Sequence, residues 1–88
     1  MEQVIVGTSK PILNYVTACI TLFNQGEKKI TVRARGKAIN TAVEVVQMLQ
    51  NHFMKDVFIA DAKIDGESVM TRDGHRLSLP VLELVLSR

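Results

Sequence analysis

Arg33, Arg35 and Lys37 stand at every second position of the stretch ITVRARGKAIN, Ile30 to Asn40. Guanidinium and ammonium groups at this spacing suit a row of phosphates, since the three positions span about 13 Å when extended at ~3.3 Å per residue. Lys29 and Thr31 share their parity, while Ile30, Val32 and Ala34 share the other, which is the period-two signature of a strand with one wet face. That wet face reads as entirely basic. Two further cationic sites stand apart from it. Lys10 precedes Pro11 at a predicted helix start, where backbone N–H groups add donors for a phosphate. Arg72 and Arg76 flank the turn in TRDGHR, with His75 beside them, as at the tip of a β-ribbon that probes a groove.

Catalytic chemistry finds little here. The reactive side chains are His52, His75, Cys19, Tyr15 and scattered carboxylates at Asp56, Asp61, Asp65, Glu67 and Asp73. They form no metal-ligand spacing and no nucleophile-base pattern, and Gly36-Lys37 lacks the spacing of a phosphate-binding GxxxxGK[ST] loop. The expectation is a binding protein, not an enzyme, with no cofactor and no metal. The third-strand carboxylates read as a solvated face.

The elements that must position the cations follow from pattern. Val4 to Val6 predicts a short first strand closed by Gly7. A helix from about Lys10 or Pro11 to Gln25 follows, capped by Thr8 or Ser9 and stopped by Gly26, with Ile12, Val16, Cys19, Ile20 and Phe23 on its inner face. Lys28 to Arg35 is the second strand, and Gly36 marks a sharp exit. The second helix runs from about Ala38 to His52, with an inner stripe of Ile39, Ala42, Val43, Val46, Leu49 and Phe53. From Ala38 to Met54 its only charged residue is Glu44, among Val45, Met48 and neutral amides, so this face suits burial against another chain. A third strand starts at Val57, Asp73-Gly74 predicts a two-residue type I′ turn, and a last strand ends at Leu86 with Leu82, Leu84 and Leu86 on its core face.

This order predicts one α+β domain over residues 1–88: a compact β-α-β-α-β-β arrangement, with a mixed four-stranded sheet and two helices on one face. From Val57 to the turn is roughly 50 Å of extended chain, beyond an ordinary strand, so residues 65–77 are expected to protrude as a hairpin arm.

Composition narrows the class. The 88 residues are 47% apolar and 23% charged, which places the chain among globular domains small enough for oligomerisation to help stability. The single cysteine, Cys19, allows no internal disulfide and sits in an apolar helical pattern, which predicts a buried thiol and a reducing compartment. No apolar run approaches the ~18 residues of a membrane span, and no signal pattern opens the chain, so an intracellular, soluble protein is expected. Net charge is only +2, but residues 1–37 carry +4 and residues 38–70 carry −3. The positive charge is therefore local, which favours polyanion contact within a Debye length, ~8 Å at physiological salt.

The sequence resembles the Alba family of archaeal chromatin proteins almost end to end. The likeness is carried by SKPILNYV at Ser9 to Val16, LFNQG at Leu22 to Gly26, ITVRARGKAI at Ile30 to Ile39, NHF at Asn51 to Phe53, and TRDGHR at Thr71 to Arg76. The resemblance implies a dimer that binds double-stranded DNA with little sequence preference, compacts or bridges duplexes, and in many members binds RNA as well. It implies that Lys10, Arg33, Arg35 and Lys37 lie on a central DNA-facing surface, and that arms bearing Arg72, His75 and Arg76 reach toward the minor groove. It implies dimer-to-dimer contacts through the second helix, at Asn51 and Phe53. Family members commonly carry two lysines before the proline, the first being the acetylation target; this chain has Ser9 there, which removes that target.

The resulting expectation is a cytoplasmic, chromosome-associated, sequence-nonspecific duplex-binding protein. RNA remains an alternative target, and a paralogue remains an alternative to a second copy as dimer partner. A small metabolite-binding regulatory domain would share the element order but leave the basic strand and the arm idle.

Overall fold

The computed structural model describes all residues from Met1 to Arg88. Its elements are β1 (Glu2–Val6), α1 (Ile12–Asn24), β2 (Lys29–Arg35), α2 (Ala38–Met48), a π-type turn (Leu49–Phe53), β3 (Phe58–Met70) and β4 (Arg76–Ser87). The expected order and α+β class are both present. The strands form one mixed sheet in the order β1-β2-β4-β3, with β1 parallel to β2 and the other two pairings antiparallel. Both helices pack over β1 and β2. No helix is long and apolar enough to cross a membrane.

The core lies between the helices and the inner face of the sheet. Ile30, Val32 and Ala34 of β2 meet Leu84 and Leu86 of β4, Val4 and Val6 of β1, and Tyr15, Val16, Cys19 and Phe23 of α1. Burial pushes the Cys19 thiol up to about 11, so it is a packed, protonated group. Tyr15 is also structural, because its hydroxyl accepts the Gly7 N–H at 3.1 Å and pins the exit of β1 to α1. The expected side-chain cap from Thr8 or Ser9 is absent. Pro11 occupies the cap position, and its carbonyl accepts the Asn14 N–H at 3.0 Å.

In α2 the buried stripe is rotated from the expected one. Ala38, Ala42, Val45, Val46 and Leu49 face the core, whereas Val43 and Phe53 are exposed. With apolar residues on most of its circumference, α2 has no single face that periodicity can select. Phe53 leaves the stripe for a further reason. The helix widens after Met48, and the Met54 N–H bonds to the Leu49 carbonyl at 2.7 Å, five residues back. The extra residue in that turn puts Met54 in the core and turns Phe53 outward, leaving it 51% exposed.

The arm is longer than predicted. β2 ends at Arg35, opposite Val81, but β3 and β4 continue as a two-stranded ladder from Gly66 and Pro80 to Met70 and Arg76. This extension draws the molecule out to 44 × 24 × 20 Å. The turn is not the expected two-residue type I′, which would need a positive φ at Asp73, and no non-glycine residue has one. Residues 71–75 close the hairpin instead. The Gly74 N–H bonds to the Thr71 carbonyl at 3.1 Å, and Gly74 takes the left-handed conformation with φ 85°.

Candidate nucleic-acid interface

At the C-terminal ends of the parallel pair β1 and β2 the chain turns twice toward a helix, and an open cleft of about 650 Å³ lies there. Arg33, Arg35, Gly36 and Lys37 line it together with Thr8 and Leu79. Gly36 makes the turn possible. Its φ of 56° is one that side chains disfavour, and a Cβ would meet Leu79 at 3.6 Å. Its N–H bonds to the Pro80 carbonyl at 2.8 Å, which fastens the exit of β2 to the base of the arm. Lys37 then adopts helical backbone angles as the residue that caps α2. The alternating cation row therefore ends at Arg35, and Lys37 reaches the same cleft from the start of α2, whose first residue, Ala38, also lines it.

The wet face of β2 is not entirely basic, because both arginines have carboxylate partners. Arg33 lies directly across from Glu83 on β4, with Nε 3.3 Å from Oε1. That nitrogen is buried and off the line of a hydrogen bond. Arg35 Nη1 donates to Glu67 Oε2 at 2.9 Å, and the other Glu67 oxygen lies 3.8 Å from Arg33 Nη2. The Arg35 hydrogen bond, aided by the charges of both guanidiniums, holds the Glu67 carboxyl below its ordinary range. Sequence reading missed this pair of acids. For Glu83 the signal was present: its place between Leu82 and Leu84 fixes it on the face opposite the core, the same face as Arg33. Glu67 carried no such signal, because its approach depends on strand register.

The remaining cationic positions are dispersed. Lys10 does not line the cleft of the arginines; it lines the neighbouring groove between β1 and α1, with Glu2, Asn14 and Gln25. Arg72, His75 and Arg76 are all exposed at the arm tip, where Arg76 pairs with Met70, about 10 Å along the strand from Glu67 at ~3.3 Å per residue. His75 is engaged locally. Its Nδ1 lies 3.0 Å from Asp73 Oδ2, and its N–H donates to the Thr71 hydroxyl at 3.1 Å. Hydrogen bonds from Thr71 and then His75 lower the Asp73 carboxyl from its ordinary range. Arg72 and Arg76 have no carboxylate partner.

A second surface is apolar. The ladder places Ile59, Ala62 and Ile64 on the same sheet face as the buried Leu86 and Leu84 and the half-buried Leu82, but no helix covers them. Ile64 is 80% exposed. Phe53, Phe58 and Val43 are also exposed large apolar residues, and Asn51 is exposed next to His52 in the π-type turn.

A family model described as Alba matches residues 2–65. Two relatives, both named DNA/RNA-binding protein Alba, align over 87 residues, 99% of this chain. The one from Methanocella arvoryzae is 36% identical with 91% of its own length covered. The one from Methanothrix thermoacetophila is 37% identical with 97% covered. Among solved structures, Alba from Thermoplasma volcanium superposes with a TM-score of 0.93 at 34% identity, over 99% of this chain and all of that one. ALBA1 from Trypanosoma brucei gives a TM-score of 0.81 at 28% identity, over 99% of this chain and 68% of its own.

Proposed function

The chain belongs to the Alba family, and on that premise we propose that it is a sequence-nonspecific double-stranded DNA-binding architectural protein. It acts as a dimer that coats, compacts or bridges duplexes. The observation that carries this reading is the convergence of Arg33, Arg35, Lys37 and the start of α2 on one open cleft, next to a long arm with unpaired Arg72 and Arg76 at its tip. Phosphates are the ligand such groups suit. Contacts of this kind fix position but carry no base sequence, so unrelated duplexes bind alike. Minor-groove contact by the arm tip separates A·T from G·C and little more, which leaves binding nearly sequence-independent. Lys10, in the adjoining groove between β1 and α1, adds a further cation beside this cleft.

The uncovered face of β3 supports the dimer. Ile59, Ala62 and Ile64 on that face make an apolar surface of the sort that a second copy or a paralogue would bury. Association of dimers along DNA is assigned to Asn51 and Phe53, since the π-type turn directs Phe53 away from the core. Structured RNA is the second reading, favoured by the relatives' printed name, which covers both nucleic acids.

Titration of several unrelated duplexes at a series of salt concentrations tests the proposal. Similar affinities, with log K falling linearly against log salt, are expected; a strong preference for one sequence or salt-independent binding overturns it. Competition between duplex DNA and a structured RNA, with sequencing of nucleic acid co-purified from native cells, separates the two targets. Sedimentation equilibrium measures the dimer.

A further inference from the structure

Two guanidiniums and two carboxylates meet where the basic strand ends. Glu83 stands directly across the ladder from Arg33, as an ordinary cross-strand pair. Glu67 is different. It lies on the part of β3 that has passed the end of β2, opposite Leu79 in the base of the arm, and it reaches back to hold both arginines at 2.9 and 3.8 Å. The other acids on the same face of β3 do not do this. Asp61 and Asp65 accept the N–H groups of Ala62 and Gly66, the next residue in each case, and pair with no cation. Local charge at the arginines is therefore near zero, and Lys37 is the unpaired cation of the cleft.

A phosphate approaching Arg33 and Arg35 meets this arrangement. A guanidinium presents its forked donors equally to carboxylate or phosphate. An anion already stands beside both arginines, and two anions a few ångströms apart repel. We infer that Glu67 is an internal counter-anion that nucleic-acid phosphate must displace from Arg33 and Arg35, so that it sets the affinity of the basic cleft. The inference deepens, and rests on, the nucleic-acid reading given above.

Displacement has two measurable consequences. The carboxylate freed on binding lowers affinity relative to a chain without it. It also takes up a solution cation as the duplex releases its own, so the net cation release is smaller and the salt slope shallower.

Duplex binding is measured across a salt series for the full chain and for Glu67→Gln, which keeps the shape and removes the charge. Asp65→Asn is the control, with the same change of net charge two residues away and no arginine partner. Glu67→Gln is expected to tighten binding about three- to tenfold beyond Asp65→Asn, in line with an ion pair of modest strength, and to steepen the salt slope by up to about one unit. In an Arg33→Gln, Arg35→Gln background the gain should shrink to that of Asp65→Asn, because the charge then has no partner to block. A gain no larger than that of Asp65→Asn, or one that persists without the arginines, overturns the inference while leaving the parent reading intact. Failure of the unsubstituted chain to bind duplex overturns the parent reading, and this one with it.

Discussion

β2 and β3 are built from similar sequence and end in different physical states. Each alternates apolar with polar or charged residues, ITVRAR in one and IADAKID in the other. In β2 the apolar set is buried without remainder: Ile30 and Val32 have no exposed surface and Ala34 has 2%. In β3 no residue is buried, and Ile64, in register with Leu82, is 80% exposed. The difference lies outside both strands. Helices cover the β1 and β2 side of the sheet and stop short of β3, so the same alternation makes a core strand in one place and an open surface in the other.

Substitution of one isoleucine in each strand tests the contrast most directly. Ile30→Ala should cost about 2–5 kcal/mol, read as a fall in denaturation midpoint, because it opens a cavity in packed surroundings. Ile64→Ala should cost under about 0.5 kcal/mol in dilute monomer. Ile64→Lys should leave the fold and weaken the dimer, measured by sedimentation; an unchanged dimer would remove this face from the interface.

The cations on β2 come next. Replacing Arg33, Arg35 and Lys37 together by Ala should lower duplex affinity on the order of a hundredfold at low salt and reduce the salt slope by up to about three units, one per lost phosphate contact. The loss should be the same for unrelated sequences. Unchanged binding would shift the whole interface to the arm.

Shortening the arm sharpens the comparison from the other side. Val69 and Leu77 are ladder partners, so joining them through Asn-Gly removes the tip while keeping register. Fold and dimer should persist, with duplex affinity lower by about tenfold as the contacts of Arg72 and Arg76 are lost. Identical minor-groove footprints with and without the tip would reduce the arm to a spacer.

The smallest effect is expected at Phe53. Since it is half exposed and outside the buried core, Phe53→Ala should change stability by less than about 1 kcal/mol. Single-dimer binding should survive while cooperative coverage of long DNA weakens. A large drop in melting temperature with unaltered cooperativity would return Phe53 to the core.

The sequence by itself determined the element order, the faces of α1 and β2, the sharp exit at Gly36 and the excess of chain beyond the sheet. These depend on local periodicity, on glycine's tolerance of positive φ and on length, all of which a linear reading contains. Motif likeness supplied the family for the same reason. Tertiary structure decided the rest. The inner face of α2 was ambiguous because apolar residues cover most of its circumference, and only the packed fold, which buries Val45 and leaves Val43 exposed, selected one over the other. Phe53 left the stripe through one inserted residue in a π-type turn, which no 3.6-residue pattern anticipates. The row of cations became a set of ion pairs because β3 overshoots β2 and carries Glu67 to within 2.9 Å of Arg35, a meeting across 32 positions of chain. Charge along a sequence is additive, but the field at a site depends on which charges the fold brings together.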